Sequence, residues 1–310
     1  MSGTVTLSME IELAWGTHDR AEYTYFSPDA SAELETLTNL LDCCDRYKIP
    51  ISFDVVGHLL HESCSGEHPG PHHDGWWSED PGTDSERDPL FYAPEFVRMI
   101  ENADVDHEIC THTYSHVLGD QVSADVIQDE LAKASDVHEA SGLEKPQSIV
   151  FPRHQTPSLA VLEDSEITTV RRPMDDYSSP SGIVRKFFWA LRRTHPVTGI
   201  DASGDVLETF CTPHPSLSTG LLPIGQQREP LPLRMIPRPI RQKVHERYIR
   251  SAVKSAATTG GYVHLWSHLF NIANEAQWKP LQAGLEHIAD KRDAGEITLK
   301  TMAELSEETK

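Results

Sequence analysis

Cysteine is scarce and unpatterned in this chain. Cys43, Cys44, Cys64, Cys110 and Cys211 are five among 310 residues, an odd count with no C-x-x-C pair. Neither a disulfide framework nor a cluster of thiolates can organise such a fold. Basic residues are also short, with 27 Lys and Arg against 48 Asp and Glu, for a formal net charge of −21. Contact with a nucleic-acid backbone needs Lys and Arg, so no nucleic-acid partner is expected. The acidity reads as a solubility strategy and suits a halophilic protein in high-salt cytoplasm, where screening removes self-repulsion. No run of about 18 apolar residues occurs, so no membrane span is expected. The opening "MSGTVTLSMEIELAWG" lacks the basic stretch and apolar run of a signal peptide. Also missing are G-x-S-x-G, a phosphate loop and G-x-G-x-x-G, so serine hydrolase, NTPase and dinucleotide readings have no support. The expectation is a soluble cytoplasmic protein with a sizeable core, its oligomeric state unspecified.

What is present is alternation. Over residues 4–13, "TVTLSMEIEL", Val5, Leu7, Met9, Ile11 and Leu13 share one face and Thr4, Thr6, Ser8, Glu10 and Glu12 the other, the period of a strand. A helix is expected from Ser27 as N-cap with Pro28 at its first position, its stripe formed by Leu34, Leu37, Leu40, Leu41 and Cys44. "IPISFDVVG" reads as a second strand. Residues 61–90 break the rhythm with Gly, Pro, Asp, Ser and His, and the loop insertion they form runs over 61–92. A helix near 94–102, a strand near 107–111 and a helix from Ser123 to Ser141, stopped by Gly142, follow. "SIVFP" and "EITTVR" read as strands, and 173–240 as an irregular Pro-rich insertion with one basic amphipathic helix, "GIVRKFFWALRR". Then come a helix from 241, a strand in "GGYVHLWSHLF", a helix over about 276–293 and the closing "EITLKTMAEL". Strands alternating with helices predict an α/β fold with a parallel sheet or barrel.

Three segments could carry chemistry. In "HEICTHTYSHV", His112 and His116 lie four apart; a helix beginning after Cys110 would put both imidazoles on one face, able to share a metal. Glu10 and Glu12 lie at the C-terminal end of the first strand, where α/β sheets and barrels place their sites. Two carboxylates inside a barrel would be costly without a cation. His264, Trp266 and His268 alternate along a late strand like the wall of a pocket. Imidazoles and a carboxylate to hold a cation, with another carboxylate to take a proton, suit hydrolysis by activated water.

In this order the motifs resemble the polysaccharide deacetylase family (NodB homology, carbohydrate esterase 4-like), in a divergent branch. "HEICTHTYSH" matches the family's metal motif at His112, Thr113 and His116, and "TLSMEIELAWG" takes the place of its first motif. "SFDVVG" resembles its second strand, "VFPRHQ" its arginine-bearing motif and "LWSH" its late histidine motif, while "EITLKTMAEL" resembles its last strand and helix. The likeness reaches both ends of the chain and leaves out 61–90 and 173–240.

The resemblance implies a single domain, a distorted (β/α) barrel with long loop insertions. It implies a divalent metal, zinc first and cobalt or manganese as alternatives, held by Glu12, His112 and His116. Glu10 would be the base, although the roles of Glu10 and Glu12 could be exchanged. Arg153 would orient the base and His268 would protonate the departing amine. Trp15, His264, Trp266, Asn271, Trp76 and Trp77 would meet the substrate, an acylated amino sugar losing an N-acetyl or related acyl group, the last two from a rim over the barrel mouth. The alternatives are a deformylase, a hydrolase of a small non-sugar amide, and an inactive sugar-binding relative. The first motif departs from the family in carrying Glu10-Ile11-Glu12 where adjacent aspartates are usual. Leu269 replaces a proline, and Asp175 and Asp176 are the nearest match to the family's Asp-Trp motif.

Overall fold

The computed structural model describes residues 2–163, 165–174, 185, 188–213 and 235–309. Among the described residues nine strands are interspersed with helices: β1 (Gly3–Ile11), α1 (Ser31–Tyr47), β2 (Ser52–Val55), α2 (Pro94–Glu101), β3 (Glu108–Thr111), α3 (Ala124–Ala140), β4 (Ser148–Val150), β5 (Thr169–Pro173), β6 (Ile200–Asp201), β7 (Leu207–Cys211), α4 (Arg238–Thr259), β8 (Tyr262–His268), α5 (Leu269–Ile272), α6 (Glu275–Asp293), β9 (Ile297–Leu299) and α7 (Met302–Thr309). Strands β2, β3, β4, β5, β7, β8 and β1 pair in that order, and β1 returns to β2, closing a parallel barrel. On the side of β1 whose upper half takes β2, its lower half takes β9, while β6 pairs antiparallel with the outer run of β7. No described helix is long and apolar enough to cross a membrane.

The alternation of β1 divides inside from outside. Val5, Leu7, Met9 and Ile11 join the main core with residues of α1, α4 and α6, while Thr6, Ser8 and Glu10 are equally buried but lie inside the barrel. Strand β1 thus has an apolar face under helices and a polar face toward the barrel interior. Parallel register then sets the layers. Glu10 lies beside Asp54 of β2 and His268 of β8, and Ser8 beside Ser52 and Trp266.

Several boundaries differ from expectation. Helix α1 starts at Ser31, because Ser27 closes a turn in which its hydroxyl bonds the Glu33 carboxylate and accepts from Ala32 N. Ser123 caps α3 as expected, and Gly142 follows in the left-handed region at φ +84°. Within 173–240, read as irregular, "LETFC" forms β7, a full member of the barrel between β5 and β8. Its short alternation is masked in sequence by the Pro-rich segments on either side. Residues 188–192 of the expected helix "GIVRKFFWALRR" are helical, while five of its twelve residues, and the candidates Asp175 and Asp176, lie outside the described residues.

Candidate active site

The C-terminal ends of β1, β3, β5 and β8 converge on one charged cluster. Glu12 follows β1 directly and leads into a 3-10 turn over Leu13–Arg20. Its carboxylate meets His112 Nε2 at 3.7 Å through one oxygen and His116 Nε2 at 3.6 Å through the other. Gly16 makes room for it, since a Cβ there would stand 1.8 Å from Glu12 Oε2. The histidines are not presented by a helix, as the four-residue spacing suggested. Beyond β3 the chain makes an irregular turn in which Thr113 and His116 take positive φ, 63° and 66°. Thr113 Oγ1 accepts from Val117 N at 3.2 Å and closes that turn. Such backbone strain costs on the order of 1 kcal/mol per residue and collects at functional sites.

Both histidines are buried, and neither ring nitrogen of His112 has a hydrogen-bond partner. Burial holds both imidazoles below their ordinary pKa, the neighbouring His112 adding to the effect at His116. Two neutral, buried imidazoles facing a carboxylate without bonding it fit a divalent cation well, because His112 would otherwise forfeit its hydrogen bonds.

Glu10 lies one layer deeper, between two cations. Its carboxylate bonds His268 Nε2 at 2.7 Å and contacts the Arg171 guanidinium. Burial alone would raise its pKa, but His268 and Arg171 outweigh it and hold the group well below the usual carboxylate range. Burial would likewise discharge His268, yet Glu10 and Glu12, the latter at 3.2 Å, push it up to about 10. Asn271 bonds His268 Nδ1 at 2.9 Å. Its amide can offer oxygen or nitrogen and so serve either protonation state of the ring.

Arg153 does not orient Glu10. It is partly exposed after β4 and forms a two-pronged pair with Asp19 at 2.7 and 2.8 Å. The arginine on the Glu10 carboxylate is Arg171, wholly buried at β5, which also bonds Asp54 at 2.9 Å and Ser8 Oγ at 2.5 Å. Asp54 is driven by burial, against the pull of Arg171, up to about 7. A sequence signal existed for both. Thr169 and Arg171 share one face of "TTVR", Ser52 and Asp54 one face of "SFDV", and a charge alternating into a barrel strand needs a partner.

The expected substrate residues separate. Trp15 is fully buried, its Nε1 donating to the Phe91 carbonyl at 3.1 Å, and so is a core residue. His264 is buried beneath the site on Ser8 Oγ at 2.9 Å, and Asn271 acts through His268. Trp266 remains at the interior, its ring 4.8 Å from the Arg171 guanidinium carbon and its Nε1 donating to the Thr212 carbonyl at 2.7 Å. Trp76 and Trp77 form a packed wall and not a rim. Trp76 Nε1 donates to Ser115 Oγ, between the two histidines, at 2.8 Å, and Trp77 stands edge-on to Trp15.

Residues 21–169 match the family model described as polysaccharide deacetylase. Among solved structures, a protein of Mycobacterium smegmatis assigned to the polysaccharide deacetylases is similar with a TM-score of 0.61 at 16% identity, over 99% of this chain and 89% of that one. A Pseudomonas aeruginosa PAO1 protein, likewise assigned, gives 0.57 at 11% over 98% and 89%. The Puue allantoinase gives 0.57 at 11% over 98% and 89%. At these identities the likeness is one of fold. No curated protein matches the chain.

Proposed function

We infer, from the match of residues 21–169 to the polysaccharide deacetylase family model and from the groups gathered at its barrel mouth, that this chain hydrolyses the N-acyl group of an acylated amino sugar in a glycan or glycan precursor. The observation that carries the reading is the placing of two carboxylates in different company. Glu12 faces His112 and His116 without bonding either, whereas Glu10 is bonded to Arg171 and His268. Glu12, His112 and His116 would hold a divalent metal, zinc by its preference for imidazole and carboxylate donors, with cobalt or manganese as substitutes. When bound there, such an ion polarises the acyl carbonyl and lowers the pKa of water.

The chain's own groups supply the proton transfers. Glu10, kept ionised by its cationic neighbours, is the acceptor for the proton lost by the attacking water. Arg171 keeps that carboxylate aimed and charged. As the oxygen–carbon bond forms and the carbon–nitrogen bond breaks, His268 delivers its Nε2 proton to the departing amine, and Asn271 steadies the ring from Nδ1. Products are the free carboxylic acid and the amine.

The test is release of acetate or formate from a panel of acylated amino sugars, formylated amines and small non-sugar amides, with zinc, cobalt or manganese added. Glu10→Gln should cut turnover by at least about 100-fold while retaining metal, and Glu12→Gln should lose metal. If Glu12→Gln keeps its metal and Glu10→Gln keeps its activity, the two roles are reversed. Activity confined to non-sugar amides, or no activity in metal-loaded protein, overturns the substrate class or the enzyme reading respectively.

A further inference from the structure

The 61–92 insertion carries a second set of donors that this chemistry does not use. His58, in the turn Gly57–Leu60 after β2, and Cys64, His68 and Asp80 each bring one donor atom within 4.8 Å of the others. His58 is fully buried, and neither of its ring nitrogens makes a well-formed hydrogen bond. Its Nε2 faces Asp80 Oδ2 at 3.4 Å, and the Phe91 carbonyl lies beside the ring. Cys64 Sγ is 3.5 Å from His68 Nε2, and that nitrogen also touches Asp80 Oδ2. A tetrahedral ion with nitrogen and oxygen at about 2.0–2.1 Å and sulfur at about 2.3 Å separates its donors by roughly 3.3–3.6 Å. The separations of 3.4 and 3.5 Å fall in that range, whereas His68 and Asp80 are in direct contact and would part to admit the ion.

The surroundings are those of a ligand set. Asp80 Oδ1 accepts from the Tyr92 hydroxyl and from Gly82 N at 3.1 Å, which leaves Oδ2 turned to the cluster. Outer hydrogen bonds of this kind fix ligating carboxylates. Trp77 covers one side, stacked on His68 with ring centroids 4.0 Å apart. Hydrogen bonding alone would satisfy Asp80 and His68 but leave His58 buried with no well-formed bond.

We propose that His58, Cys64, His68 and Asp80 form a second cation site, which takes a zinc-class divalent ion in tetrahedral coordination and staples the 61–92 insertion to the barrel. Binding releases the Cys64 thiol proton to solvent and forms a metal–thiolate bond, with no change of oxidation state. Because Trp76 of the same insertion donates to Ser115, the staple also steadies the wall beside His112 and His116.

Cobalt distinguishes the sites, since only this one has a thiolate. The full-length protein, stripped and reloaded with cobalt, should bind about two equivalents and show thiolate-to-cobalt charge-transfer absorption in the near ultraviolet. H112A/H116A should keep one equivalent and the whole band. Cys64→Ser should lose the band and one equivalent, and proteases should cut within 61–92 several-fold faster. A cobalt-loaded wild type without the band, or a Cys64→Ser variant that binds as much metal as the parent, overturns the proposal. Should Cys64→Ser fail to fold, the presence or absence of the band in wild type and H112A/H116A still decides. A band without any hydrolase activity sustains this site and counts only against the proposed reaction.

Discussion

Arg171→Met tests the charged heart of the barrel most directly. The guanidinium is fully buried and lies against Glu10, Asp54 and Ser8. Methionine preserves most of the bulk but abandons two carboxylates in the interior. Removing one member of a buried ionic group costs about 3–5 kcal/mol, because the remaining charge is stranded. Arg153→Met breaks only a pair with Asp19 in which both side chains are 27% exposed, and should cost at most about 1 kcal/mol. The effect should also depend on pH in a definite sense. Asp54 already sits up at about 7, above its unfolded value of about 3.9. A carboxyl raised on folding loses stability as pH rises from the unfolded value through the folded one. Without Arg171 that loss deepens and Glu10 joins it, so the variant should lie nearest the wild type at about pH 5 and furthest at about pH 8. Guanidinium chloride unfolding of metal-free protein, followed by circular dichroism at both pH values, measures this. Adding Glu10→Gln and Asp54→Asn to Arg171→Met should restore most of the stability but no activity. An Arg171→Met variant within about 1 kcal/mol of wild type at pH 8, or an Arg153→Met variant equally damaged, would refute the assignment.

His268 behaves with the opposite sign. Its folded pKa of about 10 lies above the ordinary 6.5, so in metal-free protein its contribution is complete below about pH 6.5 and disappears as pH rises toward 10. The stability difference between wild type and His268→Gln should shrink over that window, and thermal melts across it will show whether it does. At Gly16, whose backbone is not left-handed, alanine should fold but push Glu12 aside through its Cβ. Metal content at the first site should then fall with an unfolding midpoint close to that of wild type, and elemental analysis beside a melt separates the two.

Much of the architecture was legible because it follows from local periodicity. Period two in "TVTLSMEIEL" puts Ser8, Glu10 and Glu12 on one side, and apolar stripes bounded by Ser123 and Gly142 mark α3. Such patterns are encoded within a few residues and need no partner to be read. β7 is hidden in the sequence because five residues between Pro-rich stretches carry too little pattern. The four-residue spacing of His112 and His116 suits a helix, whereas left-handed residues in a turn bring the same rings together.

By itself the sequence determined the polar inner face of β1, the His112–His116 pair and the histidine of β8, each a property of one segment. Tertiary structure alone decided which partner each charge meets. It chose Arg171 over Arg153 for Glu10, buried Trp15 and His264 away from the mouth, and drew His58 to Cys64, His68 and Asp80. Those choices depend on tertiary packing; for Arg171, strand register and barrel closure bring it to Glu10 and Asp54, more than a hundred residues away in sequence. No periodicity within a segment carries that information.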